Sequence, residues 1–477
     1  MTLRPSFFST VLAILVLFPF HRGYSQSTAR ESGPAAPAVC GRCIRAHEEF
    51  LASDALNGRG SATHDELVAA TYIASQLRQY GIAPAAGNGA YLSVVPLLRK
   101  TATSAPELRF ADGGADVIWR HGQEMLVQRV AASDIHGPLR RVEATPEGDP
   151  AIHSGDLVLL KVQADAEATP YSVAKKWLAA GATLVMIRET KSFRDYWKPM
   201  TDRLFEETLA IPDAEPERKG TLLVLTEAAF LRLQNLADGT ELHFIAPERQ
   251  ERATSWNVIG KLAGSDTSLE HEGILFSAHL DHLGVGKAVN GDSIYNGADD
   301  DASGVTAVLE LARVLGKARP RRPVWFVLFG SEEPGILGSE YFRQHPPMEL
   351  TDVAANLEFE MIGRRDPKLP ADTLWMTGWK RTNLGPALVA RGAHLVADPY
   401  PDQHYFERSD NFRLAQGGVV AQTISSYGLH EDYHQPSDDL AHLDFQHLES
   451  AIGSLLGPIQ WLVNSNFKPE WLKGGKP

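Results

Sequence analysis

Cysteine is almost absent: a chain of 477 residues holds two, Cys40 and Cys43, spaced C-x-x-C. That spacing is open to a small local disulfide, a redox pair or half of a metal site, but nothing nearby supplies two further ligands for a structural zinc. A basic excess is missing as well. Lys and Arg number 46 against 59 Asp and Glu, a formal charge of -13, which argues against a phosphate backbone or an anionic membrane, since either needs a basic face. The sequence carries no fixed-period repeat and no low-complexity tract. Long apolar runs are confined to the start, where Phe7 to Phe20 follows Arg4 and precedes the small residues Gly23 and Ser25. The run is shorter than the ~20 residues of a comfortable membrane span, so residues 1–25 are expected to be a cleaved export signal. No cysteine follows it for lipid attachment, and the mature chain is expected in the periplasm or the medium.

What is present suits a large folded protein. Apolar residues make up 43% and charged residues 22%, an ordinary globular balance, and the length exceeds the ~250–300 residues at which single cores stop growing. From about Ile44 to Leu97 the texture reads as helical, with Leu67, Ala70, Ile73, Ala74 and Leu77 at helical spacing before Gly81. After Lys100 short β-rich runs such as Leu157 to Leu160 alternate with turns, and a helical stretch from Ser172 to Ala180 passes through Gly181 into the apolar run Thr183 to Ile187. At Ser255 a third texture begins. Val258-Ile259, Ile274 to Ser277, Val324 to Phe329 and Val419 to Ile424 are short, apolar, and separated by amphipathic stretches. They fit a mostly parallel, doubly wound mixed α/β sheet covered on both faces, which binds ligands beyond the carboxyl ends of its strands. The expected division is 26–105 and 251–465 for one large α/β domain, 106–250 for a smaller β-rich α/β insert, and 466–477 for a loose polar tail.

Five clusters carry chemistry. Ala278-His279-Leu280-Asp281-His282 stands where a strand runs out, so His279 can offer one ring nitrogen to a metal while Asp281 accepts the proton of the other. Gly297-Ala298-Asp299-Asp300-Asp301-Ala302-Ser303-Gly304 precedes a helix; its successive carboxylates repel unless a cation or the helix N-terminus compensates them, and calcium is open at this point. Ser331-Glu332-Glu333 follows the strand Val324 to Phe329, where paired glutamates can divide labour, one on a metal and one moving a proton. Asn356 to Gly363, with Glu360, and Tyr433 to Asp439, with His434, complete the set.

In this order and spacing the chain resembles the di-zinc exopeptidases that include secreted bacterial leucyl-type aminopeptidases, aminopeptidase Y, glutamate carboxypeptidase and, more remotely, glutaminyl cyclase. The resemblance spans Asn57 to about Leu455. It implies that His279 and Glu360 hold one zinc ion, Glu333 and His434 a second, and Asp300 bridges both. It further implies Glu332 as general base, Tyr433 beside the oxyanion, a cis Asp300–Asp301 peptide, and short peptides as substrates. Two Zn2+ ions against Asp300, Glu333, Glu360 and a hydroxide make a nearly neutral cluster, and imidazole with carboxylate suits zinc. Two departures stand out: Glu360 where relatives usually carry Asp, and Asn411 in Arg408-Ser409-Asp410-Asn411-Phe412 where they often carry His, with Asp410 expected to orient the substrate-side loop. The stretch from about Leu108 to Ile245 is similar to a protease-associated domain, which in relatives covers the active-site mouth. Action at a free amino terminus leads; carboxypeptidase or dipeptidase action, glutaminyl cyclisation, which needs one zinc, and a receptor-like binder that has lost its ligands are the alternatives. Nothing in the sequence speaks to oligomeric state.

Overall fold

The computed structural model describes residues 38–87, 89–144, 151–162, 169–203, 207–212 and 220–477; the expected export signal lies outside them. Four parallel strands form the centre of the larger sheet: Val420–Ser425, Val353–Phe359, Gly273–His279 and Val324–Phe329, side by side in that order. The last three are apolar almost throughout because each is covered on both faces. Ile274, Phe276 and Ala278 point into a core shared with the helices Gly41–Leu51, His64–Gln79, Gly304–Leu315 and Phe445–Asn464. On the opposite face Leu275, Val327 and Phe329 meet Phe342, Leu414 and Ala415 from the helices Leu337–Gln344 and Asn411–Gln416.

The flanks make the sheet a mixed one, with more antiparallel pairing than the mostly parallel expectation. Glu248–Leu262 joins the Val324–Phe329 edge antiparallel and then pairs antiparallel with Leu92–Ala102, while Leu374–Met376 pairs antiparallel with Val420–Ser425 at the other side. Leu92–Ala102 also corrects the helical expectation for 44–97. Two helices, Gly41–Leu51 and His64–Gln79, are followed by an eleven-residue strand. Its Leu-Ser-Val-Val start is β-prone, and Pro96 is tolerated because on its far side the strand meets only the short Thr208–Ala210, at Leu98 to Lys100. Thr63 ends the preceding turn and caps the second helix by accepting from the amides of Asp65 and Glu66.

The ribbon made by Leu92–Ala102 and Glu248–Leu262 leads into and out of a second, eight-stranded sheet built from residues 107–245. Its strands bury Leu223, Met186 and Phe244 on one side and Val185 and Val224 against Trp177 on the other. The strand Leu157–Val162, the helix Pro170–Ala179 and the strand Leu184–Arg188 lie where the β-rich texture places them. The tail is not loose. Trp471 donates its indole N–H to Gly418 and packs edge-on to Phe406, and Arg381 donates to the Gly475 carbonyl. Cys40 and Cys43 form a disulfide at the start of the first helix. No helix among the described residues is long and apolar enough to cross a membrane.

Candidate active site

Register brings the sequence clusters together. His279 lies opposite Phe329, Ser277 opposite Glu358, and Phe359 opposite Ile424, so the loops that follow these strands all open at one edge of the sheet. The acidic turn Ala298–Ser303 reaches the same edge just before the helix Gly304–Leu315. There the Nε2 of His279 is 3.1 Å from Asp300, and the Nε2 of His434 is 3.3 Å from Asp300 and 3.2 Å from Glu333. One potential ligand atom from each of His279, Asp300 and Glu333 falls within 4.8 Å of the others. Glu332, Glu360 and Tyr433 line the same cavity, beside Met361, Trp375, Tyr405 and Arg408. Glu360 stands outside the tightest group of three. The Tyr433 ring stacks on His434 with centroids 3.8 Å apart.

Buried carboxylates position these loops. Asp438 accepts the amides of Asp299 and Asp300, both at 3.0 Å. Asp301, joined to Asp300 by a cis peptide, accepts the amides of His279, Gly304 and Met361, tying three elements to one side chain. Glu66, from the second helix, accepts the Ser331 amide at 2.9 Å and the Ser255 hydroxyl at 2.7 Å. Asp281 differs from expectation. The Nδ1 of His279 meets the main-chain carbonyl of Asp281 at 3.1 Å, whereas the carboxylate is 3.9 Å away. That carboxylate instead accepts the Glu332 amide at 2.9 Å and the Ser61 hydroxyl at 2.5 Å, because the turn after His279 aims it at the paired-glutamate loop. Asp410 is buried and accepts from Ser339, while Asn411 accepts the Thr423 hydroxyl at 2.9 Å.

The charges are strongly coupled. Burial alone would raise the Asp300 carboxyl, yet the imidazoles of His279 and His434 beside it hold it well below the usual carboxylate range. Burial likewise opposes ionisation of Glu333, but His282 and His434 bring it down to about 2. Burial would lower His434, and Asp300 and Glu333 outweigh it, raising the imidazole to about 10. Glu332 is pushed well above the normal range by burial, with Asp410, Glu333 and Glu360 adding to it. These residues fit a metal. The Nε2 atoms of His279 and His434 are buried and make no hydrogen bond, although carboxylate oxygens lie about them. Imidazole and carboxylate without thiolate is a zinc-compatible donor set.

Three participants escaped the sequence reading. His282, the last residue of the first cluster, places Nδ1 2.7 Å from Glu333. Asp438 sits in the fifth cluster, where its role is invisible without the fold. Arg59 is fully buried beneath the site, in a stretch whose texture reads as helical and carries no sign of this role.

Residues 257–455 match the model for peptidase family M28. The chain is 25% identical over 321 residues to Aminopeptidase YwaD of Bacillus subtilis, an alignment covering 64% of this chain and 62% of that protein. The structure is similar to that of an aminopeptidase from Aneurinibacillus sp. strain AM-1, with a TM-score of 0.56 and 20% identity over 90% of this chain and 95% of that one. It is also similar to a zinc aminopeptidase from Bacillus subtilis, with a TM-score of 0.50 and 19% identity over 91% and 97% of the two chains. At such identities the structural likeness shows the fold. The matched segment contains His279, Asp300, Glu333 and His434, the residues that converge at the strand ends.

Proposed function

We propose that the chain is a zinc-dependent exopeptidase that removes the terminal residue of short peptides, acting from the amino terminus. The observation that carries this reading is the meeting of His279, Asp300 and Glu333 within 4.8 Å at the strand ends, with Glu332 on the same cavity wall. In this proposal His279 and Glu360 would hold one zinc ion and Glu333 and His434 a second, with Asp300 serving both. Bound zinc supplies Lewis acidity for water and for a peptide carbonyl. Glu332 is the proton carrier. Its amide is anchored to Asp281, and its carboxyl, raised by burial, would be brought back by bound zinc to where it can take a proton from water and give it to the leaving amine. Tyr433, raised above the ordinary phenol value by burial and by Asp300, Glu333 and Glu360, stays protonated and can donate to a developing oxyanion.

Carboxypeptidase or dipeptidase action is the second reading. It is favoured by Arg408, which lines the cavity and carries a charge suited to a carboxylate, and by the longer reach of Glu360. Amino-acid nitroanilides assayed against N-blocked dipeptides, with and without a chelator, separate the two. Chelator-sensitive release from nitroanilides supports the first reading, cleavage of blocked dipeptides alone supports the second, and no hydrolysis by zinc-loaded protein rejects both. The proposal extends to export through residues 1–25 and to a protease-associated role for the 107–245 sheet, limiting access to small peptides.

A further inference from the structure

The side chain of Arg59 is fully buried, and all four of its hydrogen bonds go to main-chain carbonyls. Its Nε donates to Leu280 at 3.1 Å, between His279 and Asp281. Its Nη1 donates to Leu51 at 2.6 Å and to Asn296 at 2.7 Å, and its Nη2 to Gly297 at 3.0 Å, just ahead of the Asp299 to Asp301 run. One planar group therefore ties the loop carrying His279 to the loop carrying Asp300 and anchors both to the end of the first helix. The turn itself adds to the clamp: the amide of His282 donates to the Arg59 carbonyl at 3.1 Å, and Ser61 donates to Asp281 at 2.5 Å. Asn57, Gly58 and Arg59 all take left-handed φ values, of 43°, 70° and 50°, which turn the chain inward at this point.

Burying a guanidinium is unfavourable unless its donors are well used. Here the donors are spent on the backbone of the ligand loops, and burial, which lowers the guanidinium's pKa, is opposed by the nearby charges of Glu48, Asp281, Asp300 and Asp301. Lysine would bring the charge without the fork, and so could not reach three separated segments at once.

We propose that Arg59 is a positioning residue for the metal site: by cross-linking the His279 and Asp300 loops through their carbonyls it sets the spacing of the ligands and thereby the metal affinity. The inference rests on the zinc peptidase reading above. Arg59→Lys and Arg59→Met are compared with the wild-type chain in zinc affinity, by competition with a chromogenic chelator, and in the visible spectrum of the cobalt-substituted protein, with near-ultraviolet circular dichroism to verify folding. Both variants are expected to bind zinc about 10- to 100-fold more weakly, as loss of ligand-orienting partners does elsewhere, with a changed cobalt spectrum, a lower kcat and an unchanged KM. A folded variant of either kind with wild-type affinity and spectrum overturns the proposal. Should neither variant fold, hydrogen exchange on the wild-type chain decides: stripping the metal is expected to loosen 278–283, 296–301 and the 57–62 turn together. Loosening of the two ligand loops with 57–62 unchanged overturns it. A wild-type chain that takes up no zinc and hydrolyses nothing instead defeats the peptidase reading itself, before either variant is made.

Discussion

In Glu332 the backbone is the anchored part: its amide is bound by Asp281 at 2.9 Å while its carboxyl faces the cavity. Glu332→Gln keeps the shape and removes the proton carrier, so kcat on a nitroanilide should fall by a factor of about 10²–10⁴ while zinc content, read by mass spectrometry, stays the same. Loss of zinc along with activity would place Glu332 among the ligands instead. Asp438 uses the same group for the opposite purpose, accepting two amides of the acidic turn. Asp438→Asn should lower stability by about 1–3 kcal/mol in denaturant titration, the range for a disrupted buried hydrogen bond. His47, far from the cavity, lies between the hydroxyls of Tyr72 and Tyr80, and burial followed by Arg313 lowers it to about 4. The folded pKa is below the unfolded 6.5, so the unfolded chain binds more protons between the two values. The stability His47 contributes is complete above pH 6.5 and is lost as pH falls through about 4. Replacing His47 by Gln should flatten the melting temperature across that window.

Elements converge because parallel strands end together. Two residues per strand end, one histidine or carboxylate and its neighbour, suffice once register puts His279 beside Phe329 and Glu358 beside Thr423. The turn Asp54–Arg59 is the counterpart that closes the site from below, and it depends on a glycine. Gly58 has φ +70, and a Cβ there would meet the Tyr295 carbonyl at 2.2 Å. Gly58→Ala should therefore destabilise by at least about 2 kcal/mol, from backbone strain and overpacking together. Gly81, with φ +79 at the end of the second helix, would place a Cβ no nearer than 4.0 Å to its closest neighbour, the Gly316 carbonyl. Gly81→Ala should show the strain alone, about 1 kcal/mol, so equal melting temperatures for the two variants would contradict the close approach at Gly58.

At the scale of the molecule, an acidic chain concentrates its carboxylates where a cation can offset them. Asp300, Glu332, Glu333 and Glu360 share one cavity, and Arg59 is a fully buried cation beneath it. Metal that binds the folded chain alone stabilises it by mass action, about 4 kcal/mol at a thousandfold excess over Kd. Thermal unfolding with chelator should come several degrees below unfolding with zinc, and the gap should close in a variant lacking Asp300. An unchanged transition in chelator would mean that the carboxylates are compensated without metal.

Local pattern alone located the strand runs at Ile274 to Ser277 and Val324 to Phe329 and identified the chemistry-bearing clusters after them. Both are local properties: burial on two faces demands unbroken apolar runs, and loops after strands tolerate charge. Only the tertiary structure decided which groups meet. The antiparallel flanks, the use of the Asp281 carboxylate on the glutamate loop and the contact of His282 with Glu333 depend on register and turn direction, which no local pattern encodes. Arg59 is the sharpest case. It lies 221 residues from its Leu280 partner, and its partners are backbone carbonyls, which every sequence has in equal measure and which acquire an address only when the chain folds.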